Sequence, residues 1–107
     1  MVFIESKLFE QLRNNYLSDE QYRQLQNFIM INPIVGDVIK GTGGLRKLRW
    51  RFKSKGKRGG IRVIYLFLDK KQHCHFLTIY SKNTISDLTT KEKRLLKQLT
   101  EGIKNEQ

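Results

Sequence analysis

Arg62 interrupts an otherwise apolar run, Ile61 to Leu68. Arginine is rarely buried without a counter-charge, because desolvating a guanidinium is costly. Its planar, permanently charged fork suits a phosphate held bidentately. The rival reading is an arginine at a strand end, paired with an acid such as Asp87. The neighbouring sequence favours the phosphate. Between Asp37 and Asp69 the chain carries ten Lys and Arg residues and no acid, and eight of the ten lie from Arg46 to Arg58. A turn at Asp69 to Lys71 places Arg62 opposite Thr78 to Tyr80, so Tyr80, Ser81 and Lys82 gather at one sheet edge. The basic segment Lys53 to Arg58 enters Arg62's strand at that same edge. Cations, an aromatic ring and backbone amides thus converge on a site for a polyanion, RNA first among them.

Other chemistries find less support. His73 and His75 share a strand face, yet at about 3.3 Å per residue they lie roughly 16 Å or more from Tyr80. With no Cys, His or acid cluster beside them they make a poor metal site. The ten acids are scattered, and Asp19-Glu20, the one adjacent pair, suits a helix N-terminus. A two-metal nuclease requires clustered carboxylates, so no metal and no cofactor is expected. The glycine-rich stretch Gly36 to Gly44 lacks the pattern of a nucleotide-binding loop and reads as a tight turn. Cys74 cannot form an internal disulfide and reads as a buried, inert thiol, in keeping with a cytoplasmic home.

The elements that must position these residues follow from periodicity. Val2 to Ile4 reads as a short strand, and Leu8, Phe9, Leu12 and Tyr16 mark a first helix. Ser18 and Gln21 form a capping box opening a second helix, with Tyr22, Leu25, Phe28 and Ile29 on one face. Asn32-Pro33 ends it. From Lys47 the period becomes two, with Leu48, Trp50 and Phe52 inward and Lys47, Arg49, Arg51 and Lys53 outward. Ile61 to Leu68 is apolar on both faces, hence a central strand, and His73 to Tyr80 returns antiparallel to it. Thr89 and Glu92 cap a last helix with Leu95, Leu96, Leu99 and Ile103 on one face. The order βααβββα, a helical hairpin and a C-terminal helix with a mainly antiparallel sheet, is an α+β fold.

The 107 residues suit one domain spanning 1–107, and eleven aromatics argue against wholesale disorder. A net charge of +11 opposes folding through self-repulsion, a cost usually tolerated for a polyanionic partner. No segment approaches the ~20 apolar residues of a membrane span, and Met1 to Glu5 is too short for a secretory signal.

Three stretches together resemble the HigB branch of the RelE-like bacterial toxins: Gly36 to Lys47, Gly56 to Tyr65, and Ile79 to Asn83 with Ser86 to Thr89. Phe3 to Ser6 and Tyr16 to Glu20 extend the likeness to nearly the whole chain. The resemblance implies a small fold of the microbial-ribonuclease type. It also implies metal-free cleavage of mRNA in the ribosomal A site, and silencing by an antitoxin encoded in the neighbouring gene. The family's strand arginine matches Arg62, its loop cations match Lys55, Lys57 and Arg58, and the lysine after its last strand matches Lys82, with Asn83 beside it. Some relatives carry an arginine where Asn83 stands and a tyrosine near Leu88.

The chemistry then has named parts. RNA supplies its own nucleophile, the 2′-OH, so the protein must move protons and stabilise the phosphorane's added charge. Arg62 is the candidate for charge stabilisation. Lys82 and one of Lys55 or Lys57 are candidates for proton transfer, since crowded positive charge lowers a lysine pKa. Arg49, Arg51, Lys53 and Arg58 are candidates for flanking phosphates or rRNA, and Tyr80 and Asn83 for contacts to the RNA. A non-catalytic RNA-binding or ribosome-associated protein is the alternative. A DNA-binding module lacks a helix with clustered basic residues.

Overall fold

Hydroxyl caps set where the helices begin. The computed structural model describes residues 1–51, 60–81 and 89–106. Ser6 Oγ accepts from the Phe9 amide at 2.9 Å and donates to the Leu77 carbonyl at 2.6 Å, starting α1 (Lys7–Tyr16) and tying it to the sheet. Reciprocal boxes, Ser18 with Gln21 and Thr89 with Glu92, start α2 (Asp19–Ile31) and α3 (Thr90–Asn105). Each such cap contributes about 1 kcal/mol. Helix α2 stops at Ile31, with Asn32 as its cap before Pro33.

The strands are β1 (Val2–Glu5), β2 (Asp37–Val38), β3 (Arg46–Trp50), β4 (Ile61–Leu68) and β5 (His73–Ser81). They form one five-stranded sheet in the order β1-β5-β4-β3-β2. All pairs are antiparallel except β1 with β5. The expected α+β fold is present, with three helices among the described residues. Two details go beyond that expectation. Strand β1 joins in parallel, at the edge beside β5. The glycine-rich connection contributes a two-residue edge strand, β2, held where the Arg46 guanidinium donates to the Ile34 and Gly36 carbonyls.

Alternation on β4 divides the interior. Ile61, Val63 and Tyr65 face α1 and α2, where they pack with Phe9, Leu17, Leu25, Ile29, Leu48, Phe76 and Ile79. Ile64 and Leu66 face α3, where they pack with Leu45, Leu77, Leu96 and Ile103. Leu95 and Leu99, expected in that core, are more than half exposed. Helix α3 is rolled so that Thr100, fully buried, packs on Gly43 instead, leaving the two leucines on a flank toward α1. An open apolar groove of about 230 Å³ runs there between Leu8 and Leu99.

Candidate functional site

A bulge decides who stands beside Arg62. Strand β4 pairs regularly with β5 up to Tyr65 opposite Phe76, then Ile64 lies opposite Thr78, leaving Leu77 as an extra residue. An inserted residue reverses the alternation of everything beyond it. Without it Arg62 would face Ile79; with it Arg62 pairs with Tyr80. On its other side Arg62 pairs with Arg49 of β3. Directly paired residues share a face, so Arg49, Arg62 and Tyr80 form a row across three neighbouring strands. At about 4.8 Å between strands the row spans roughly 10 Å. It lies on the α3 side, as the alternation with Ile64 and Leu66 requires.

Burial grades along this row. Arg49 is exposed, Arg62 is 7% exposed and Tyr80 is half-buried against the α3-side cluster. One Arg62 Nη lies 3.5 Å from the Ile61 carbonyl. Like charges directly across a ladder repel, and an anion seated between two guanidiniums removes that repulsion. Strand β3 ends and β4 begins at this edge, since Trp50 pairs with Ile61 and Ile61 with Ser81. Gly60 makes the entry possible: its φ is +70°, and a Cβ there would sit 2.5 Å from the Trp50 carbonyl oxygen.

Of the residues picked from sequence, Arg62, Arg49 and Tyr80 are brought together, and Arg51 follows at the open end of β3. Lys53, Lys55, Lys57, Arg58, Lys82 and Asn83 lie outside the described residues, as does Asp87 of the rival ion-pair reading. Arg49, assigned from sequence to flanking contacts, stands next to Arg62 itself. The alternation from Lys47 signals its face, but its partner depends on a strand register that composition does not reveal. Trp50 packs in the opposite core, its ring 5.0 Å from that of Phe28.

The histidines sit at the far end, His73 opposite Leu68 and His75 opposite Leu66. Leu68 is six residues from Arg62, roughly 20 Å along the strand. Burial lowers the His75 pKa first, and His73 beside it adds to the effect. Among the described residues, no group of three or more His, Cys, Asp or Glu side chains is arranged to hold a metal. Cys74 is buried, and its thiol is pushed up to about 12 by desolvation, which leaves it unreactive.

The family described as RelE toxin of the RelE/RelB toxin–antitoxin system matches residues 2–107. The chain belongs to the RelE toxin family. Solved structures share the fold of this RelE-family chain at low identity. A chain of the intact E. coli RelBE toxin–antitoxin complex superposes with a TM-score of 0.55 at 15% identity, covering 75% of this chain and 94% of that one. An arginine double mutant of E. coli RelE in the free state gives 0.53 at 16%, covering 76% and 82%. Isolated E. coli RelE gives 0.52 at 13%, covering 99% and 98%. Among the described residues of this chain, no helix is long and apolar enough to cross a membrane.

Proposed function

We propose that this toxin is a ribosome-dependent endoribonuclease that cuts mRNA in the ribosomal A site by metal-free attack of the 2′-OH. The observation that supports it is the row Arg49–Arg62–Tyr80. It is a buried guanidinium flanked by a second cation and an aromatic ring, at the edge where the segments carrying Lys53 to Arg58 and Lys82 join the sheet. Arg62 stabilises the phosphorane, where a preorganised donor acts without reorganising solvent. Lys82 and Lys55 or Lys57 move the protons, and Arg49, Arg51, Lys53, Arg58 and Asn83 hold the strand. Tyr80 offers a face for a base or a hydroxyl for the sugar. The absence of any acid between Asp37 and Asp69 supports a route that uses lysine and arginine in place of a metal.

The expected partners are mRNA, rRNA and an antitoxin from the neighbouring gene, as the E. coli relative was solved in a toxin–antitoxin complex. The +11 charge speeds capture of an acidic chain. Inducible expression without that neighbour, followed by mapping of mRNA 5′ ends, tests the reading. New ends within translated regions are expected, and purified components should leave a 2′,3′-cyclic phosphate. Ribosome binding without cleavage identifies a non-catalytic ribosome-associated protein. Loss of cleavage on chelation, with the ribosome's own Mg²⁺ controlled for, identifies a metal nuclease.

A further inference from the structure

Helix α3 has two unlike flanks. At about 100° per residue, Leu96, Thr100 and Ile103 form the stripe that meets the sheet. Leu99 lines the groove beside Leu8 of α1, and Leu95, one turn before it, is exposed as well. Lys93, Lys97 and Lys104 lie on the other flank, toward β3. Three contacts fix that orientation. Lys104 Nζ donates to the Gly43 carbonyl at 2.6 Å, and a Cβ on Gly43 would touch Thr100 and the Lys97 stem. Gly43 lies just ahead of β3, whose Lys47 and Arg49 point to the same side of the sheet as Ile64 and Arg62. Two cationic rails, Lys93 and Lys97 on the helix and Lys47, Arg49 and Arg51 on the strand, therefore lie on the same side of the sheet.

The rails have a closed end and an open end. The Lys104–Gly43 bond and the Thr100–Gly43 packing close them beside the β4–β5 turn, where Lys104 shares a hollow with Leu68 to Lys71. The helix is 16 residues long, about 24 Å, and runs back from there toward the Arg62 row. Leu96, between Lys93 and Lys97, packs in the same cluster as Tyr80. Lys93 is half-buried, as suits a lysine whose stem covers apolar surface while its ammonium stays in water. Asp37 stands across from Lys47 and offsets part of its charge. The strand rail is accordingly strongest at Arg49 and Arg51, nearest the site.

We propose that the cleft between α3 and β3 is a track for single-stranded RNA, in which Lys93 and Lys97 hold phosphates adjoining the one at Arg62. A positive groove that follows a backbone is the usual form of such binding. An acidic polypeptide would meet the same charges. RNA is favoured because the rails lead to Arg62 and the apolar flank, where a protein partner gains most by burial, faces the other way. The proposal rests on the reading of this protein as an RNA-cleaving toxin, so its test is made independent of cleavage.

A 2′-O-methyl RNA oligonucleotide lacks the nucleophile and reports binding alone. Its affinity is measured by anisotropy against salt for the wild type, for Lys93→Gln/Lys97→Gln, and for Lys91→Gln/Arg94→Gln on the outer side of the same helix. Each phosphate contact to a single strand contributes about 0.7 to the log–log salt slope. The first pair is expected to lower the slope by about 1.4, so that about sevenfold less affinity is lost between 50 and 200 mM salt. The second pair removes the same charge and is expected to leave the slope near the wild type. Equal slopes in the two variants overturn the proposal, since net charge alone would then explain binding. So does an effect seen only with ribosomes, which places rRNA in the cleft, or an equal effect with polyglutamate. A wild type that shows the slope yet never cuts mRNA refutes the nuclease reading and keeps the track.

Discussion

Strand β4 gives Ile61, Val63 and Tyr65 to the α1/α2 side of the sheet and Arg62, Ile64 and Leu66 to the α3 side. On the first side two helices and a cluster of aromatic rings exclude water: Phe76 lies 4.8 Å from Phe9, 5.5 Å from Phe3 and 5.8 Å from Tyr22, centroid to centroid. On the second side a single helix covers a smaller core, two of its leucines stay exposed, and a guanidinium lies in the strand's face. The lesson is a separation of tasks across one sheet. The dense face carries the larger apolar core, and the sparse face carries the Arg49–Arg62–Tyr80 row.

Truncation on the dense face should have the largest effect on the fold. Phe76→Ala is expected to cost about 3–5 kcal/mol, a large share of the roughly 5–15 kcal/mol that stabilises a domain of this kind. Urea unfolding measures it. A cost under about 1 kcal/mol would mean that the α1/α2 core is not the one holding the sheet.

Arg62→Ala sharpens the contrast from the other side. RNA cleavage should fall about 10²- to 10³-fold, as when one preorganised charge stabiliser is removed, while the melting temperature stays within about 5 °C. An unfolded variant would make Arg62 a structural ion-pair partner and erase the division between the faces.

A smaller effect concerns acid. Burial first and then His73 lower the His75 pKa, with Glu106 opposing. A folded pKa below the unfolded value near 6.5 means that the unfolded chain binds more protons as pH falls. Stability present above that value is lost as pH drops through the folded pKa. The melting temperature should therefore decline between pH 7 and 5, and less steeply in His75→Gln. Identical slopes would place the acid sensitivity elsewhere.

Much of this molecule is legible in its residues. Ser18 with Gln21 and Thr89 with Glu92 announce two helix starts, Asn32-Pro33 announces a stop, and the alternation from Lys47 assigns the faces of β3. These signals are local, acting over three or four residues through hydrogen bonds and sterics that depend little on the rest of the chain. Arg62 is conspicuous in the sequence as the one charge within the apolar octet Ile61 to Leu68.

Register and roll were not legible, because neighbours distant in sequence set them. The extra residue at Leu77 that turns Tyr80 toward Arg62 is invisible in a run apolar or aromatic at most positions. The placement of Arg49 beside Arg62 rests on how β3 and β4 align across the intervening segment. The roll of α3, which buries Thr100 on Gly43 and exposes Leu95 and Leu99, contradicts a reading in which every leucine faces inward. A glycine surface with room for a threonine methyl chose that roll. The sequence alone determined which elements form and which residues are charged; packing between distant segments decided which of those charges meet.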